Sequence, residues 1–192
     1  MDPTLVTPCD NEDLLRVLGE AQRIGTLGPA PCQEIIRHAT WFADVLPAEV
    51  TRVIDLGSGA GIPGLVVALV RPTLQIVLVD RRVKCTDALH RAVSVLELTE
   101  RVSVYCGDVD DICHTSGWQE SFDAAISRGF GPPLQTLTYS TAFVRPGGWI
   151  VISEPPIDIP DRWSKIDISK MGLSGPDRRG PIALFHVEQS KI

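Results

Sequence analysis

No stretch of this 192-residue chain approaches the roughly 20 consecutive apolar residues that a membrane-spanning helix requires. Met1-Asp2-Pro3-Thr4 lacks the basic and apolar regions of a secretory leader, so a cytoplasmic location away from membranes is expected. Cysteine is sparse and odd in number: Cys9, Cys32, Cys85, Cys106 and Cys113, with no Cys-x-x-Cys pair. That excludes a disulfide framework and a zinc ribbon, and reads as reduced thiols. His38, His90, His114 and His186 fall in no metal-ligand spacing, and no metal is expected. A basic excess is also missing. Eighteen Lys and Arg face 24 Asp and Glu, a net charge of −6, which excludes a surface that is basic all round. Five cations do gather between 71 and 91 (Arg71, Arg81, Arg82, Lys84 and Arg91), either as a local patch or as the solvated faces of a loop and a helix. There is no internal repeat, no low-complexity tract and no order of Ser, His and Asp suggesting a nucleophilic triad.

What is present is an alternation. Asp10 or Asn11 is placed to cap a helix from about 12 to 22, and an apolar stripe (Ile35, Ile36, Ala39, Phe42, Leu46) predicts a second from 32 to 45 that Pro47 ends. Continuously apolar strands are expected at 52–56, 75–79, 101–105, 122–126 and 149–153, with helices at 63–70, 83–96, 109–115 and 133–143 between them. Such strands, separated by helices, form a mostly parallel sheet covered on both faces. Candidate strands at 164–170 and 182–188, beyond a proline-bearing loop at 154–162, would pair antiparallel and close a seven-stranded sheet. The fold class is α/β, Rossmann-like, with a helical cap at 1–47 and a ligand-binding domain at 48–192.

In such a sheet ligands lie beyond the carboxyl ends of the strands, and polar residues fall there in series. Asp55-Leu56-Gly57-Ser58-Gly59-Ala60-Gly61-Ile62-Pro63-Gly64 follows the first strand. The spacing Gly59-x-Gly61-x-x-Gly64 alone fits a dinucleotide. Asp55, however, would repel a pyrophosphate. S-adenosylmethionine carries an ammonium, a sulfonium and one carboxylate instead, and suits an acid at that strand end. Gly57, Gly59 and Gly61 would let backbone approach this ligand, and the following helix would offer N–H groups to its carboxylate. A glycine turn kept for close helix–strand packing is the plainer reading.

Asp80 ends the second strand, where it either accepts both ribose hydroxyls or caps the next helix. Asp108 and Val109 follow the third, placed for the adenine amino group and a ring nitrogen, with a helix cap as the alternative for Asp108. Ser58 and Arg81 complete the expected cofactor-binding set. After the fourth strand, Arg128 and Phe130 form a polar clamp and a stacking surface beside the transferred methyl, or else an ion pair and a core ring. Arg128 is expected to touch the cofactor as well. Trp41, Trp118, Trp149 and Trp163 read as packing residues.

These residues also resemble a known family: the glucose-inhibited division protein B family of small-subunit ribosomal RNA guanine-N7 methyltransferases. The likeness covers about residues 32–152. It rests on Asp55 to Gly64 with its Pro63-Gly64 ending, on Ser127-Arg128-Gly129-Phe130, on Arg37-His38, on Lys84, and on Arg178 or Arg179 before the last strand. The resemblance implies an S-adenosylmethionine-dependent enzyme whose partner is ribosomal RNA or the small ribosomal subunit. It further implies in-line transfer to guanine N7, with Arg128 and Phe130 at the reacting base and Arg178 or Arg179 at the base or its phosphate. Two segments depart from the family. Ile24-Gly25-Thr26 stands where it has Asn-Leu-Thr, and Ile152-Ser153-Glu154 stands where it has Leu-Lys-Gly. A methyltransferase for a small molecule or protein, a non-catalytic binding module and a nicotinamide enzyme are the competing readings.

Overall fold

The computed structural model describes residues 7–115, 117–155 and 162–189. Helix α1 (Glu12–Arg23) starts where Asn11 accepts a hydrogen bond from the Leu14 N–H at 2.9 Å, and it buries Leu14, Leu18 and Ala21. Helix α2 (Cys32–Val45) buries the expected stripe. Then come β1 (Arg52–Leu56), α3 (Gly64–Val70), β2 (Gln75–Asp80), α4 (Val83–Val95), β3 (Val102–Cys106), α5 (Val109–Ile112), β4 (Phe122–Ser127), α6 (Pro133–Phe143), β5 (Val144–Ser153), β6 (Leu173–Arg179) and β7 (Ile182–Val187).

The sheet runs β3-β2-β1-β4-β5-β7-β6; β1 to β5 pair parallel, and β7 is antiparallel to both β5 and β6. The pleat sends alternate residues to opposite faces. Val53, Ile76 and Leu78 join α1, α2, α3 and α4 in one apolar cluster; Ile54, Leu56 and Val79 join α5, α6 and Trp163 in the other. Among the described residues, no helix is long and apolar enough to cross a membrane.

Several cations of the sequence do structural work at helix ends, where unpaired carbonyls need donors. The Arg71 guanidinium donates to the carbonyls of Ala43, Leu46 and Pro47 behind α2. Arg101 donates to Ala68 O at 2.7 Å, and Lys84 to Ile24 O at 2.6 Å, the residue that ends α1. The gathering at 71–91 is therefore not one patch.

The strand expected at 164–170 is not there: residues 168–171 form a 3₁₀ turn, and the sixth strand is the segment read as the connection. The reason is its place. As an edge strand β6 buries only Leu173, so it needs no apolar alternation, and Gly175-Pro176 sits at a register shift that an edge tolerates. Similarly β5 starts at Val144, ahead of the Arg145-to-Gly148 turn read from the sequence, because that turn lies within an irregularity of the β4–β5 ladder. Most of the proline-bearing loop, residues 156–161, lies outside the described residues.

Candidate active site

The carboxyl ends of β1, β2, β3 and β4 open onto one cavity of about 370 Å³. Gly57 lines it after β1, Asp80 to Arg82 after β2, Gly107 to Val109 after β3, and Gly129 and Phe130 after β4; Gln135 and Tyr139 close it from α6. Gly57 has φ 70°, and a Cβ there would stand 2.6 Å from Phe130 Cδ2. The phenyl ring thus lies directly on the turn, and its outer edge meets Tyr139 at 6.1 Å between centroids.

Asp55 sits under this turn, fully buried. Its Oδ2 accepts the Gly64 N–H at 3.1 Å, so close that a Cβ on Gly64 would lie 2.6 Å from that oxygen. Ser58 Oγ donates to the Asp55 carbonyl at 2.9 Å and locks the turn from within. Burial raises the Asp55 carboxyl to about 7; the Gly64 N–H only partly offsets it. Gly61 turns toward Leu65 and Leu89, which a side chain there would strike. At the start of α3, where N–H groups for an anion are expected, two are already used within the protein. Gly64 N–H goes to Asp55, Leu65 N–H goes to Gly61 O at 2.8 Å, and Pro63 has none.

Four buried polar atoms around this strand end have no hydrogen-bond partner among the described residues: Asp55 Oδ1, Ser127 Oγ, Arg128 Nη1 and His38 Nδ1. Burial lowers the pKa of Arg128, and the Asp55 carboxylate works against that shift. Burial and the Arg128 charge together lower His38, favouring a neutral imidazole. The arrangement is a half-buried cation near a fully buried acid, each with a buried polar atom that no hydrogen bond satisfies.

Asp80 is held from both sides. Its Oδ1 accepts the Arg82 N–H at 2.9 Å and Arg82 Nε at 3.0 Å; its Oδ2 accepts the Gly59 N–H at 2.9 Å and Arg82 Nη2 at 3.1 Å. Burial would raise its pKa, but the Arg82 side chain and the two backbone donors hold it below the ordinary value. Asp108 caps α5 by accepting the Asp110 N–H at 3.1 Å, and its second oxygen is 3.6 Å from Arg81.

The cavity thus brings together Gly57, Asp80, Arg81, Asp108, Val109 and Phe130 from the sequence reading. Gly59 meets it through Asp80. Asp55, Ser58 and Gly61 lie behind the turn, and Arg128 faces Asp55 and His38. Arg82 was read only as one of five gathered cations, and Gln135 and Tyr139 were not singled out. The last two stand one helical turn apart on α6, and only the tertiary packing of α6 brings them to the cleft. Arg178 Nη2 lies 3.0 Å from Glu154 Oε2, and Arg179 pairs with Asp177 at 2.7 Å. Asp110, Cys113 and His114 bring ligand-type atoms within 4.8 Å of one another. Tyr139 Oη already bonds the Asp110 carboxylate at 2.8 Å, and the Cys113 thiol donates to Asp110 O at 3.1 Å.

The chain is similar to known proteins in sequence and in fold. A family model described as rRNA small subunit methyltransferase G matches residues 28–154. Ribosomal RNA small subunit methyltransferase G of Moorella thermoacetica is 37% identical over 105 residues, 55% of this chain and 43% of that protein. The Salinispora tropica protein of the same name is 32% identical over 133 residues, 66% of this chain and 54% of that one. The chain spans about half the length of the curated relatives it matches. Among solved structures, cofactor-bound Rv0187 from MTB superposes with a TM-score of 0.68 at 19% identity, covering 98% of this chain and 94% of that one. An O-methyltransferase family protein from Burkholderia thailandensis gives 0.60 at 18% identity, over 93% and 68% of the two chains. At these identities the structures share the fold, and the sequence match shows the lineage: this chain belongs to the GidB family of rRNA small subunit methyltransferase G.

Proposed function

We propose that the chain binds S-adenosylmethionine in the cleft and methylates guanine N7 in small-subunit ribosomal RNA. The observation that carries this is the pairing of the cavity at four strand ends with the unpartnered Asp55 Oδ1 and Arg128 Nη1 behind it. One buried acid and one half-buried cation, each with an unsatisfied buried atom, match a zwitterionic amino-acid group better than a pyrophosphate. Residues 48–192 would form the cofactor-binding unit, with α1 and α2 as its cap.

Bound there, the cofactor supplies an electrophilic methyl group. Asp80 would accept the ribose hydroxyls, Asp108 the adenine amino group, and the Val109 N–H would meet a ring nitrogen. Guanine N7 carries its own lone pair, so the protein's task is to hold it in line with the methyl rather than to remove a proton. Arg128, in the field of Asp55, orients the base, and Phe130 offers it a ring face.

The test incubates the purified chain and labelled S-adenosylmethionine with small subunits, and with naked RNA, from a strain lacking the family's enzyme. Label at guanine N7 supports the proposal. Label confined to small molecules or protein selects another methyl acceptor, and donor binding without transfer to any fraction makes the chain a binding module.

Two substitutions separate the roles. Asp80→Ala should weaken S-adenosylhomocysteine binding about 10- to 100-fold by calorimetry, since each hydrogen bond to a charged acceptor contributes about 1.5–3 kcal/mol. Equal affinity would remove the ribose assignment. Arg128→Ala should cut turnover about 10- to 100-fold, the scale of a misplaced reacting group. A change confined to KM for RNA would make it a binding residue only.

A further inference from the structure

The Asp80 carboxylate is saturated. An ionised carboxylate offers about four acceptor sites, and here four donors already use them: the Gly59 N–H, the Arg82 N–H, Arg82 Nε and Arg82 Nη2. The two backbone donors are fixed by the glycine turn and by the start of α4. The two from the Arg82 side chain are not; that side chain is 57% exposed, whereas Asp80 is 4% exposed. Its guanidinium lies along the glycine turn, with Nη2 3.6 Å from where a Cβ on Gly59 would stand. Arg82 therefore occupies both the oxygens and the space that a ribose diol at Asp80 needs.

Resting on the reading above, we propose that Arg82 competes with the donor's ribose for Asp80 and, once displaced, contacts an RNA phosphate at the rim of the cleft. Two hydroxyls arriving at Asp80 replace Nε and Nη2 one for one, so the carboxylate keeps four donors. The guanidinium then loses its counter-charge. It swings to the rim beside Arg81, which is 76% exposed and lines the same cavity. Donor binding thus turns a neutralised pair into a free cation on a chain that is otherwise acidic. A polyanion gains from that cation, and a neutral small substrate does not. Because coupling between two ligands is reciprocal, RNA must tighten donor binding by the same factor that donor tightens RNA binding.

The experiment has two arms on the full chain, both with S-adenosylhomocysteine so that no transfer occurs. In the first, calorimetry without RNA compares wild type, Arg82→Lys and Arg82→Ala. Arg82→Ala should bind the probe about two- to fivefold more tightly, because a competing exposed ion pair is of modest strength. Arg82→Lys, with one donor nitrogen at the tip, should fall between. Unchanged or weaker binding in Arg82→Ala overturns the competition.

The second arm measures binding of a family-substrate RNA fragment with and without saturating probe, across salt. Wild type should bind RNA about three- to tenfold more tightly with the probe. Its salt dependence should steepen by about 0.7–0.9 in log–log slope, the signature of one added phosphate contact. Arg82→Ala should show neither change, and Arg82→Lys should retain part of both. RNA affinity indifferent to the probe in wild type overturns the phosphate contact. If RNA binds in neither state, the phosphate half falls together with the ribosomal reading. The first arm, which contains no RNA, still decides the competition.

Discussion

Between pH 4 and pH 7 the wild-type chain should lose about 4 kcal/mol of stability that an Asp55→Asn variant does not lose. The carboxyl is raised from the ordinary 3.8 to about 7, first by burial and then by the neighbouring Asp80, against the Gly64 N–H, Ser58 and Arg128. In the unfolded chain the same group ionises near its ordinary value. Across the window the folded state therefore holds a proton that the unfolded state has lost, and stability falls as pH rises. A displacement from 3.8 to about 7, at about 1.4 kcal/mol per pH unit, gives the figure. Below pH 4 and above pH 7 this group adds no slope.

Other carboxylates pull the opposite way; Asp123 is held at about 2 by Arg145, Thr51 and Arg52 despite its burial. The comparison with Asp55→Asn cancels them, because the amide copies the neutral acid and titrates nowhere. Urea melts at several pH values supply the measurement. Parallel stability curves for the two proteins would mean that Asp55 ionises freely in the folded state. The donor sharpens the same test. If the Asp55 Oδ1 accepts the donor's ammonium, the bound state favours the carboxylate, and S-adenosylhomocysteine affinity should rise from pH 6 to pH 8 in wild type but stay flat in Asp55→Asn.

The readable part of this molecule is its local part. A run of four glycines after an apolar strand, an acid at each of two later strand ends and the helical stripes of α1 and α2 are statements about neighbours in sequence, and the alternation of strands and helices points to a mostly parallel sheet. The Asp108 cap was readable for the same reason. Non-local features were not. Nothing near Tyr139 says that α6 will carry it to the rim of a cavity made by β2 and β3, and nothing near Asp80 says that the Gly59 N–H, twenty-one positions back, will join three donors of Arg82 to fill its acceptor sites. Edge strand β6 was hidden because an edge exposed on both faces leaves no hydrophobic period to read. Lys84 was read as a family position, and the structure adds what it holds: the last carbonyl of a helix sixty residues away.

Glu154 is the sharpest case, and the stability it confers should be large. In the sequence it stands where the family has a basic segment, which points toward the substrate. In the fold its side chain is 2% exposed, and its Oε1 accepts Arg162 Nε at 3.1 Å and the Trp163 indole N–H at 2.8 Å. Oε2 lies 3.0 Å from Arg178 Nη2, and the backbone N–H donates to Pro181 O at 2.7 Å. One carboxylate thus joins the end of β5, the buried Trp163 and edge strand β6.

Removing one partner from a buried charged cluster costs about 3–5 kcal/mol. Arg162 and Arg178 are 27% and 40% exposed, so water can take over part of their bonding, and the lower end applies. Glu154→Ala should therefore lose about 3 kcal/mol in urea unfolding, with a melting temperature lower by about 6–12 °C for a chain of this size. Glu154→Gln keeps an oxygen for the indole and should lose less. A loss under about 0.5 kcal/mol in the alanine variant would show that the cluster is not holding the hairpin. RNA affinity measured on the glutamine variant then separates the two readings of this position. A clamp leaves it near wild type, whereas an acid that opposes the substrate's phosphates raises it when neutralised.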